Sequence, residues 1–320
     1  MNVVFMFPGQ SSRYPGMLSE LAALDERNRL LIETASDLLD RDLAAHYSAD
    51  NPDAYACNQD VQIGVFLANH LFLQLVQAAG VRADASLGLS LGEWNHLVHV
   101  GALSFPQALE AVEARGAAYD AGPRGAMASV FPIGFDELQE SVDGITDAGV
   151  LEITNLNSPR QQVLSGETKA IERAVQVLED EHYLQAVIIE RQVPMHCSTF
   201  QPVGVEFRKV LETLDFAKPR LPYLPNRLAE LLPEPSKSDF VDLLSTHVHE
   251  PVLWKKSIDL VVETFPDPVL VEVGPKRVLF NLLDRKWHRG VAKLHTDTNE
   301  DKAAHLEQVL AELGAGGAKG

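Results

Sequence analysis

Cysteine is scarce in this chain of 320 residues. Its two cysteines, Cys57 and Cys197, are too few for the disulfide framework that stabilises small secreted domains. The chain is instead long enough to bury a large core, and 46% of its residues are hydrophobic. The low cysteine count fits a reducing compartment, and we expect a cytoplasmic protein.

Positive charge is also in short supply. Lysine and arginine number 27 against 45 aspartate and glutamate residues, which gives a formal net charge of −18 at pH 7. A chain of this sign repels the phosphate backbone of DNA and RNA. We therefore expect no nucleic-acid partner.

The sequence also lacks the apolar run of about 20 residues that a membrane-spanning helix needs. The apolar segment at residues 1–7 has no basic region, and Pro8 ends it too early for a signal peptide. We therefore expect no association with a membrane.

Short apolar strands alternate with amphipathic helices along most of the chain, which is typical of an α/β fold with a parallel sheet. Between residues 125 and 193 the predicted order becomes β-α-β-β-α-β, the ferredoxin-like pattern. We predict an α/β-hydrolase-like large subdomain over residues 1–124 and 194–300, and a ferredoxin-like small subdomain at 125–193. A C-terminal helix and a flexible tail are predicted at 301–320.

The end of the large subdomain carries two further predicted elements. Residues 269–273 are apolar and β-branched, which predicts a strand, and Gly274 and Pro275 end it. A helix is predicted at about 276–286.

The sequence Gly-Leu-Ser-Leu-Gly-Glu at residues 88–93 has the Gly-x-Ser-x-Gly pattern of a nucleophile elbow. An apolar run precedes it, and apolar residues at helical spacing follow it. Ser90 would then lie at the start of a helix, where backbone N–H groups favour negative charge. The alternative is a glycine-rich loop with an ordinary serine, because patterns this short also arise by chance.

A serine nucleophile needs a base, and His196 is the candidate that its position favours. It follows the last predicted strand of the small subdomain, where the chain re-enters the large one, and such loops carry function. The alternative is a solvent-exposed loop histidine.

Two groups of polar residues raise the question of a metal site. His247 and His249 form one group, and Glu93, His96 and His99 form the other. Neither has the spacing of a common zinc site, and we expect no metal and no cofactor.

Short motifs follow one another along the chain at residues 7–12 (FPGQSS), 58–62 (NQDVQ), 88–93 (GLSLGE), 115–116 (RG), 125–128 (GAMA), 157–159 (NSP), 193–198 (VPMHCS), 250–254 (EPVLW) and 272–275 (EVGP). With this ordered set the chain resembles the malonyl-CoA:acyl-carrier-protein transacylases, a family that includes the acyltransferase domains of polyketide and fatty acid synthases. The similarity extends from about residue 3 to 290.

The resemblance implies roles for several residues. Ser90 would attack the thioester of an acyl-CoA, and His196 would take the proton of Ser90 and pass it to the leaving thiol. The N–H groups of Gln10 and Leu91 would form the oxyanion hole. The backbone carbonyl of His247, where the family often has glutamine or asparagine, would orient His196.

The resemblance also implies a substrate. Arg115 corresponds to the arginine that binds the free carboxylate of malonate, a task that suits the bidentate, permanently charged guanidinium. Gln62 belongs to the substrate site by the same argument. The alternative for Arg115 is a helix-surface residue paired with Glu113 or Asp120.

Two positions depart from the family pattern or vary within it. Leu89 replaces the usual histidine before the nucleophile, and Met195 precedes His196 at a position that varies with the acyl group. Both residues would line the acyl pocket. The Leu89 substitution weakens the prediction of strict malonyl specificity.

The expected partners are malonyl-CoA and an acyl carrier protein. Carrier proteins are typically acidic, so docking on this acidic chain needs a local basic patch. The densest candidate comprises Lys276, Arg277, Arg285, Lys286 and Arg289. A solvated helix face is an equally good explanation of these charges.

We therefore predict an acyltransferase that moves a malonyl or related carboxyacyl group from CoA to a carrier protein through an acyl-serine. It would act in trans in polyketide or fatty acid biosynthesis. The alternatives are a transferase for another acyl group, a proofreading hydrolase of acyl carrier proteins and a non-catalytic carrier-binding module. Arg115 argues against the hydrolase, and the Ser90, His196 and Gln10 set argues against the module.

Overall fold

The structure is a computed structural model, and it describes residues 2–145, 149–283 and 286–314. The strands in chain order are β1 (Asn2–Phe7), β2 (Ala85–Gly88), β3 (Ala126–Phe131), β4 (Leu151–Ser158), β5 (Gln161–Gly166), β6 (Gln185–Glu190), β7 (Pro268–Glu272) and β8 (Ala292–His295). The helices are α1 (Met17–Leu24), α2 (Glu26–Leu39), α3 (Leu43–His46), α4 (Asn58–Ala78), α5 (Gly92–Val100), α6 (Phe105–Asp120), α7 (Phe135–Asp143), α8 (Thr168–Asp180), α9 (Gln201–Thr213), α10 (Lys237–Thr246), α11 (Trp254–Thr264), α12 (Val278–Leu282) and α13 (Lys302–Glu312).

The larger subdomain is built on a parallel sheet of strand order β2-β1-β7-β8. Strand β1 lies inside this sheet and is apolar on both faces, as a parallel strand covered by helices requires. Its side chains alternate between two cores: Phe5 and Phe7 belong to the larger one, and Val4 and Met6 to the one formed with α11. The predicted α/β architecture with a parallel sheet is confirmed.

The second sheet is antiparallel, with strand order β4-β5-β3-β6. Together with α7 and α8 it gives the order β-α-β-β-α-β, so the ferredoxin-like subdomain is confirmed. Ala126, Ala128 and Val130 of β3 pack in a core shared with both helices. Met127 lies on the opposite face of β3 and lines a cleft between the two subdomains.

A direct backbone connection joins the two subdomains. The N–H of Val252 donates to the carbonyl of Thr154 on β4 at 2.8 Å, and the N–H of Leu156 donates back to Val252 at 3.0 Å. This short parallel pairing continues the small sheet into the segment that leads to α11.

Helices α4 and α6 pack closely because a glycine lies at their contact. A Cβ atom on Gly116 would come within 2.4 Å of Gln59 Cα, so a larger residue would force the helices apart. The carboxylate of Asp120 accepts from the N–H groups of Asn58 and Gln59, both at 2.9 Å, and so satisfies the start of α4. This packing sets the distance between residues 62 and 115.

Helix α4 is the one helix in the described ranges that is long and apolar enough to cross a membrane by length and composition. In the fold, 78% of its apolar window is buried. Its hydropathy is therefore accounted for by its place in the larger core, where it packs against α6.

The end of the chain differs from the sequence-based prediction in one missed strand and one shortened helix. The sequence pattern did not predict β8, because this four-residue edge strand has no run of apolar residues and is only partly buried. The helix predicted at 276–286 is confined to α12 at Val278–Leu282. Helix α13 packs on the large core through Leu306 and Val309, and the predicted tail from residue 315 on lies outside the described residues.

The contact between α5 and β1 leaves no space for a side chain at residue 92. A Cβ atom on Gly92 would lie 2.1 Å from the carbonyl oxygen of Phe7. We predict that Gly92→Ala lowers the free energy of unfolding by about 3 kcal/mol, measured by urea denaturation. At Gly134 the nearest atom would be 3.8 Å away, so Gly134→Ala is the matched control and should have little effect. Equal losses in the two variants would contradict the steric argument.

Candidate active site

Ser90 lies in a strained turn between strand β2 and helix α5. Its φ is 51°, in the left-handed region that residues other than glycine rarely adopt. The turn is too tight for a side chain at residue 88, because a Cβ atom on Gly88 would lie 2.0 Å from the carbonyl oxygen of Gly92. The predicted nucleophile-elbow geometry is therefore present.

Ser90 and His196 come together although 106 residues separate them. Ser90 Oγ lies 2.7 Å from His196 Nε2, and His196 Nδ1 lies 2.7 Å from the carbonyl oxygen of His247. Because a carbonyl only accepts, Nδ1 carries the proton and donates it to His247. Nε2 is then the acceptor that faces the Ser90 hydroxyl.

The surroundings of His196 keep its ring neutral. Burial lowers its pKa to about 3, and the positive charge of Arg115 acts in the same direction. The bond to the His247 carbonyl opposes this shift, since it favours the protonated ring. At neutral pH His196 can therefore accept a proton from Ser90.

The predicted oxyanion-hole residues flank the nucleophile. Gln10 follows β1 and lines the cleft with Ser90, whereas Leu91 is completely buried directly after Ser90. Within the described part of the chain, neither the Gln10 nor the Leu91 N–H donates to another protein group. Both amides are therefore free to bind an oxygen atom.

Arg115 is a buried cation rather than a helix-surface residue, and only 1% of it is exposed. Its Nη1 donates to Gln62 Oε1 at 2.6 Å, and its guanidinium lies 4.3 Å from the ring centre of Tyr119. Among the described residues, Arg115 Nη2 and Gln62 Nε2 have no hydrogen-bond partner. Burial lowers the pKa of Arg115, so the site gains from an anion beside it.

Apolar side chains from both subdomains line the cleft at Ser90. Leu89 and Met195 lie there as predicted, and Met127 and Val163 of the small sheet face them. Arg115 is not among the lining residues of the open cleft. A ligand group that reaches Arg115 must therefore enter the interior beyond the cleft.

Asn226 was not predicted from the sequence, yet it contacts the nucleophile directly. Its Oδ1 accepts from the N–H of Ser90 at 2.8 Å, and its Nδ2 donates to the carbonyl of Gly88 at 2.6 Å. Asn226 thus holds both sides of the elbow. It lies 136 residues from Ser90 in a proline-rich segment, and its spacing carries no catalytic signal.

The residues considered as metal ligands have other partners. His96 Nδ1 and His99 Nδ1 lie 2.7 and 2.8 Å from Ser86 Oγ, and Glu93 accepts from the hydroxyl of Tyr223. Across the described ranges, no group of three or more histidine, cysteine or acidic side chains is arranged to hold a metal ion.

The predicted basic patch is divided in the structure. Lys276 Nζ contacts the carbonyl of Ser11 at 3.4 Å, which places it next to the loop after β1. Arg289 lines a different cavity, with Trp287 and His288. Arg277 and Lys286 are exposed, and Arg285 lies outside the described residues.

The sequence profile of the family described as "Acyl transferase domain" matches residues 4–314. The chain belongs to this family. The malonyl CoA-acyl carrier protein transacylase of Escherichia coli (strain K12) is 30% identical over 285 residues, which cover 88% of this chain and 91% of that protein. Its Bacillus subtilis (strain 168) counterpart is 29% identical over 289 residues, with 88% and 90% covered.

Solved structures of the acyl transferase family share the fold. The malonyl CoA-acyl carrier protein transacylase of Clostridium perfringens superposes with a TM-score of 0.87 at 27% identity, covering 98% of this chain and 97% of that one. A malonyl-transacylase solved in complex with its type II PKS acyl-carrier protein has a TM-score of 0.88 at 27% identity, covering 98% and 100%. The resemblance found in the sequence motifs is confirmed, and the protein is an acyltransferase.

Asn226 offers a test of the elbow geometry. We predict that Asn226→Ala slows labelling of Ser90 by a fluorophosphonate at least about tenfold, because the backbone N–H of Ser90 loses the side-chain oxygen that accepts from it. The rate can be followed by intact-protein mass spectrometry.

Asn28 supplies the matched control for this test, because it is also buried and donates to a backbone carbonyl, that of Leu21 at 2.9 Å, away from the elbow. Asn28→Ala should lower stability by about 1–3 kcal/mol and leave the labelling rate unchanged. Equal slowing in both variants would show that general destabilisation, rather than the elbow contact, is responsible.

Proposed function

We propose that this acyltransferase moves a malonyl group from CoA to the phosphopantetheine thiol of an acyl carrier protein, with Ser90 carrying the acyl group in between. The observation that carries the proposal is the chain of contacts from Ser90 through His196 to the His247 carbonyl, beside a buried arginine with an unpaired N–H. The relatives of known function, which are malonyl CoA-acyl carrier protein transacylases, support the same substrates.

Acylation begins with the proton on Ser90. His196 Nε2 accepts it while Ser90 Oγ attacks the thioester carbonyl, and the resulting tetrahedral intermediate carries negative charge on oxygen. The intermediate collapses when the C–S bond breaks, and His196 returns the proton to the departing CoA thiolate. The carrier thiol then attacks the acyl-serine and gives its proton to His196. The bond between the acyl carbon and Ser90 Oγ breaks, and His196 returns the proton to Oγ, which restores the hydroxyl.

The free amides of Gln10 and Leu91 would bind the negative oxygen of this intermediate. Removal of one such donor typically costs on the order of 10²–10³ in rate. The apolar walls formed by Leu89, Met127 and Met195 limit water at the acyl-serine, which must survive until the second thiol arrives.

Arg115 would select acyl groups that end in a carboxylate. Malonyl carries its free carboxylate one methylene group beyond the carbonyl that Ser90 attacks, so it can extend inward while the ester remains at Ser90. Nη2 of Arg115 would donate to it, and Gln62 would hold Nη1 from the other side. The positive charge of Arg115 lowers the pKa of His196. A carboxylate bound beside Arg115 would offset this charge and so make His196 a stronger base.

Docking of the carrier protein requires positive charge near the cleft entrance. Lys276, beside the loop that holds Gln10, is the predicted patch residue best placed for this purpose. The solved complex of a related transacylase with its carrier protein supports a carrier partner. We further propose that the reaction occurs in the cytoplasm, uses no cofactor or metal, and serves fatty acid or polyketide biosynthesis.

Intact-protein mass spectrometry tests the acyl-serine. We predict that mixing with malonyl-CoA gives a malonyl adduct on Ser90, and that Ser90→Ala abolishes it. Adding a holo carrier protein should discharge the adduct and transfer its mass to the carrier. An unmodified wild-type protein together with accumulating free malonate would instead indicate a hydrolase.

The role of Arg115 is tested by comparing two donors. We predict that Arg115→Ala lowers the acylation rate with malonyl-CoA by at least about a hundredfold and changes the rate with acetyl-CoA little, because acetyl has no carboxylate to bind. Burst kinetics under rapid quench measure both rates.

Arg208 is the matched control, because it pairs with Glu212 and Asp242 on the surface. Arg208→Ala should leave both donors unaffected. If Arg115→Ala lowered the acylation rates with malonyl-CoA and acetyl-CoA equally, Arg115 would not be the group that binds the malonyl carboxylate.

A further inference from the structure

His196 depends on the segment at residues 247–248 for both its ring and its backbone. Its Nδ1 donates to the His247 carbonyl at 2.7 Å, and its own N–H donates to the Val248 carbonyl at 3.0 Å. The φ of His196 is 62°, a conformation that needs such external support. A shift of the backbone at residue 247 would therefore shift the base as well.

The side chain of His247 is as buried as the base. It is 2% exposed, and its ring is stacked on that of His196 with the ring centres 4.8 Å apart. His247 also ends helix α10, where its N–H donates to the Leu243 carbonyl at 2.9 Å. These contacts leave its imidazole nitrogens as the groups that still need partners.

Glu93 supplies a partner from the helix that carries the nucleophile. Its Oε2 lies 3.1 Å from His247 Nδ1, and its Oε1 accepts from the hydroxyl of Tyr223. Glu93 is 1% exposed, and Oε2 forms no well-aligned hydrogen bond with any group of the described chain, so the close contact with His247 Nδ1 is one of distance. Because a buried acceptor is costly without a donor, the tautomer of His247 with the proton on Nδ1 is favoured.

We propose that Glu93 and His247 are positioning residues for the base: Glu93 holds the ring of His247, and His247 holds the carbonyl that orients His196. This inference rests on the proposed acyl transfer and adds a charged group to it. Neither residue lines the cleft at Ser90. The pair joins α5, which follows Ser90, to the end of α10, which supports His196, and so couples the nucleophile and the base.

The pair also supplies charge at the moment of proton transfer. His196 becomes positive when it takes the Ser90 proton, and the Glu93 carboxylate then lies beyond the stacked His247 ring. Burial lowers the pKa of His247 well below its usual value, so this ring stays neutral. Burial raises the pKa of Glu93 to about 7, partly opposed by the bond from Tyr223.

Several charged or titratable groups face this pair. Arg115 and Arg227 favour the ionised form of Glu93 and oppose protonation of both histidines. The titratable and charged groups around Glu93 are Tyr223, His247, Arg115 and Arg227, and the backbone N–H of Asn226 also favours its ionised form. As the pH rises through about 7, Glu93 loses its proton and gains the charge that stabilises a positive His196, so the rate should rise.

Glu93→Gln tests the proposal through the kinetics of Ser90 acylation. We predict that the burst rate with malonyl-CoA falls about tenfold, with little change in the concentration that gives half the maximal rate. The final amount of malonyl-Ser90 should equal that of the wild type. The wild-type rate should fall as the pH is lowered through about 7, whereas the rate of Glu93→Gln should stay flat there.

Glu272 is the matched control. It is also a buried carboxylate whose pKa burial raises to about 7, and its oxygens accept from the N–H groups of Leu279 and Phe280 at 3.0 and 2.8 Å. Glu272→Gln should retain the pH-dependent fall and the wild-type burst rate. A loss of the fall in both variants would overturn the assignment of this titration to Glu93.

Two variants of His247 distinguish the contribution of its hydrogen-bond donor from that of its stacked ring. His247→Phe keeps a ring to stack on His196 and removes the donor, so it should slow acylation as Glu93→Gln does. His247→Gln supplies an amide donor and should stay within about threefold of the wild type. The double variant Glu93→Gln with His247→Phe should be no slower than either single variant, because the charge of Glu93 acts through the His247 donor.

The outcomes distinguish this inference from the proposed function. A wild-type protein that forms no malonyl-Ser90 would remove the proposed function. Full and equally fast acylation by Glu93→Gln, or additive losses in the double variant, would overturn the positioning role and leave acyl transfer intact. If Glu93→Gln does not fold, the comparison of His247→Phe with His247→Gln still decides the matter.

Discussion

The hydrogen bond from His196 Nδ1 to the carbonyl of His247 is the interaction on which the site depends. It determines which nitrogen carries the proton and so leaves Nε2 to accept from Ser90, 2.7 Å away. A backbone carbonyl does this without adding a charge to the interior, where an unpaired carboxylate would need its own compensation. The base is accordingly neutral and buried, and its acceptor must be held in place by other groups.

The nucleophile has the same need for external support. Ser90 keeps a left-handed conformation because its flanking glycines allow the chain to turn tightly and because Asn226 binds the backbone on both sides. Such strain persists only when several independent contacts fix the same conformation. The parallel sheet provides this, since β1 and β2 end side by side at Phe7 and Gly88.

In the proposed function, substrate choice and catalysis share one buried cluster of charge. Arg115 has an unpaired N–H for a carboxylate, and its positive charge also lowers the pKa of His196. Glu93 lies near both and joins the nucleophile helix to the segment that carries the His247 carbonyl. A carboxylate bound at Arg115 would therefore change the electrostatics of the base as well as hold the substrate.

Local sequence determined every strand but β8, most helices, both subdomains and the elbow, because hydrophobic periodicity and glycine spacing depend on near neighbours. Position in the chain pointed to His196, and ordered motifs led to Arg115 and Gln62. Only the tertiary structure brought in Asn226, paired Glu93 with His247 and separated Lys276 from Arg289. These contacts join residues far apart in the chain, and the edge strand β8 likewise exists through pairing with β7. Tertiary packing determines which residues become partners, and a local sequence pattern does not contain that information.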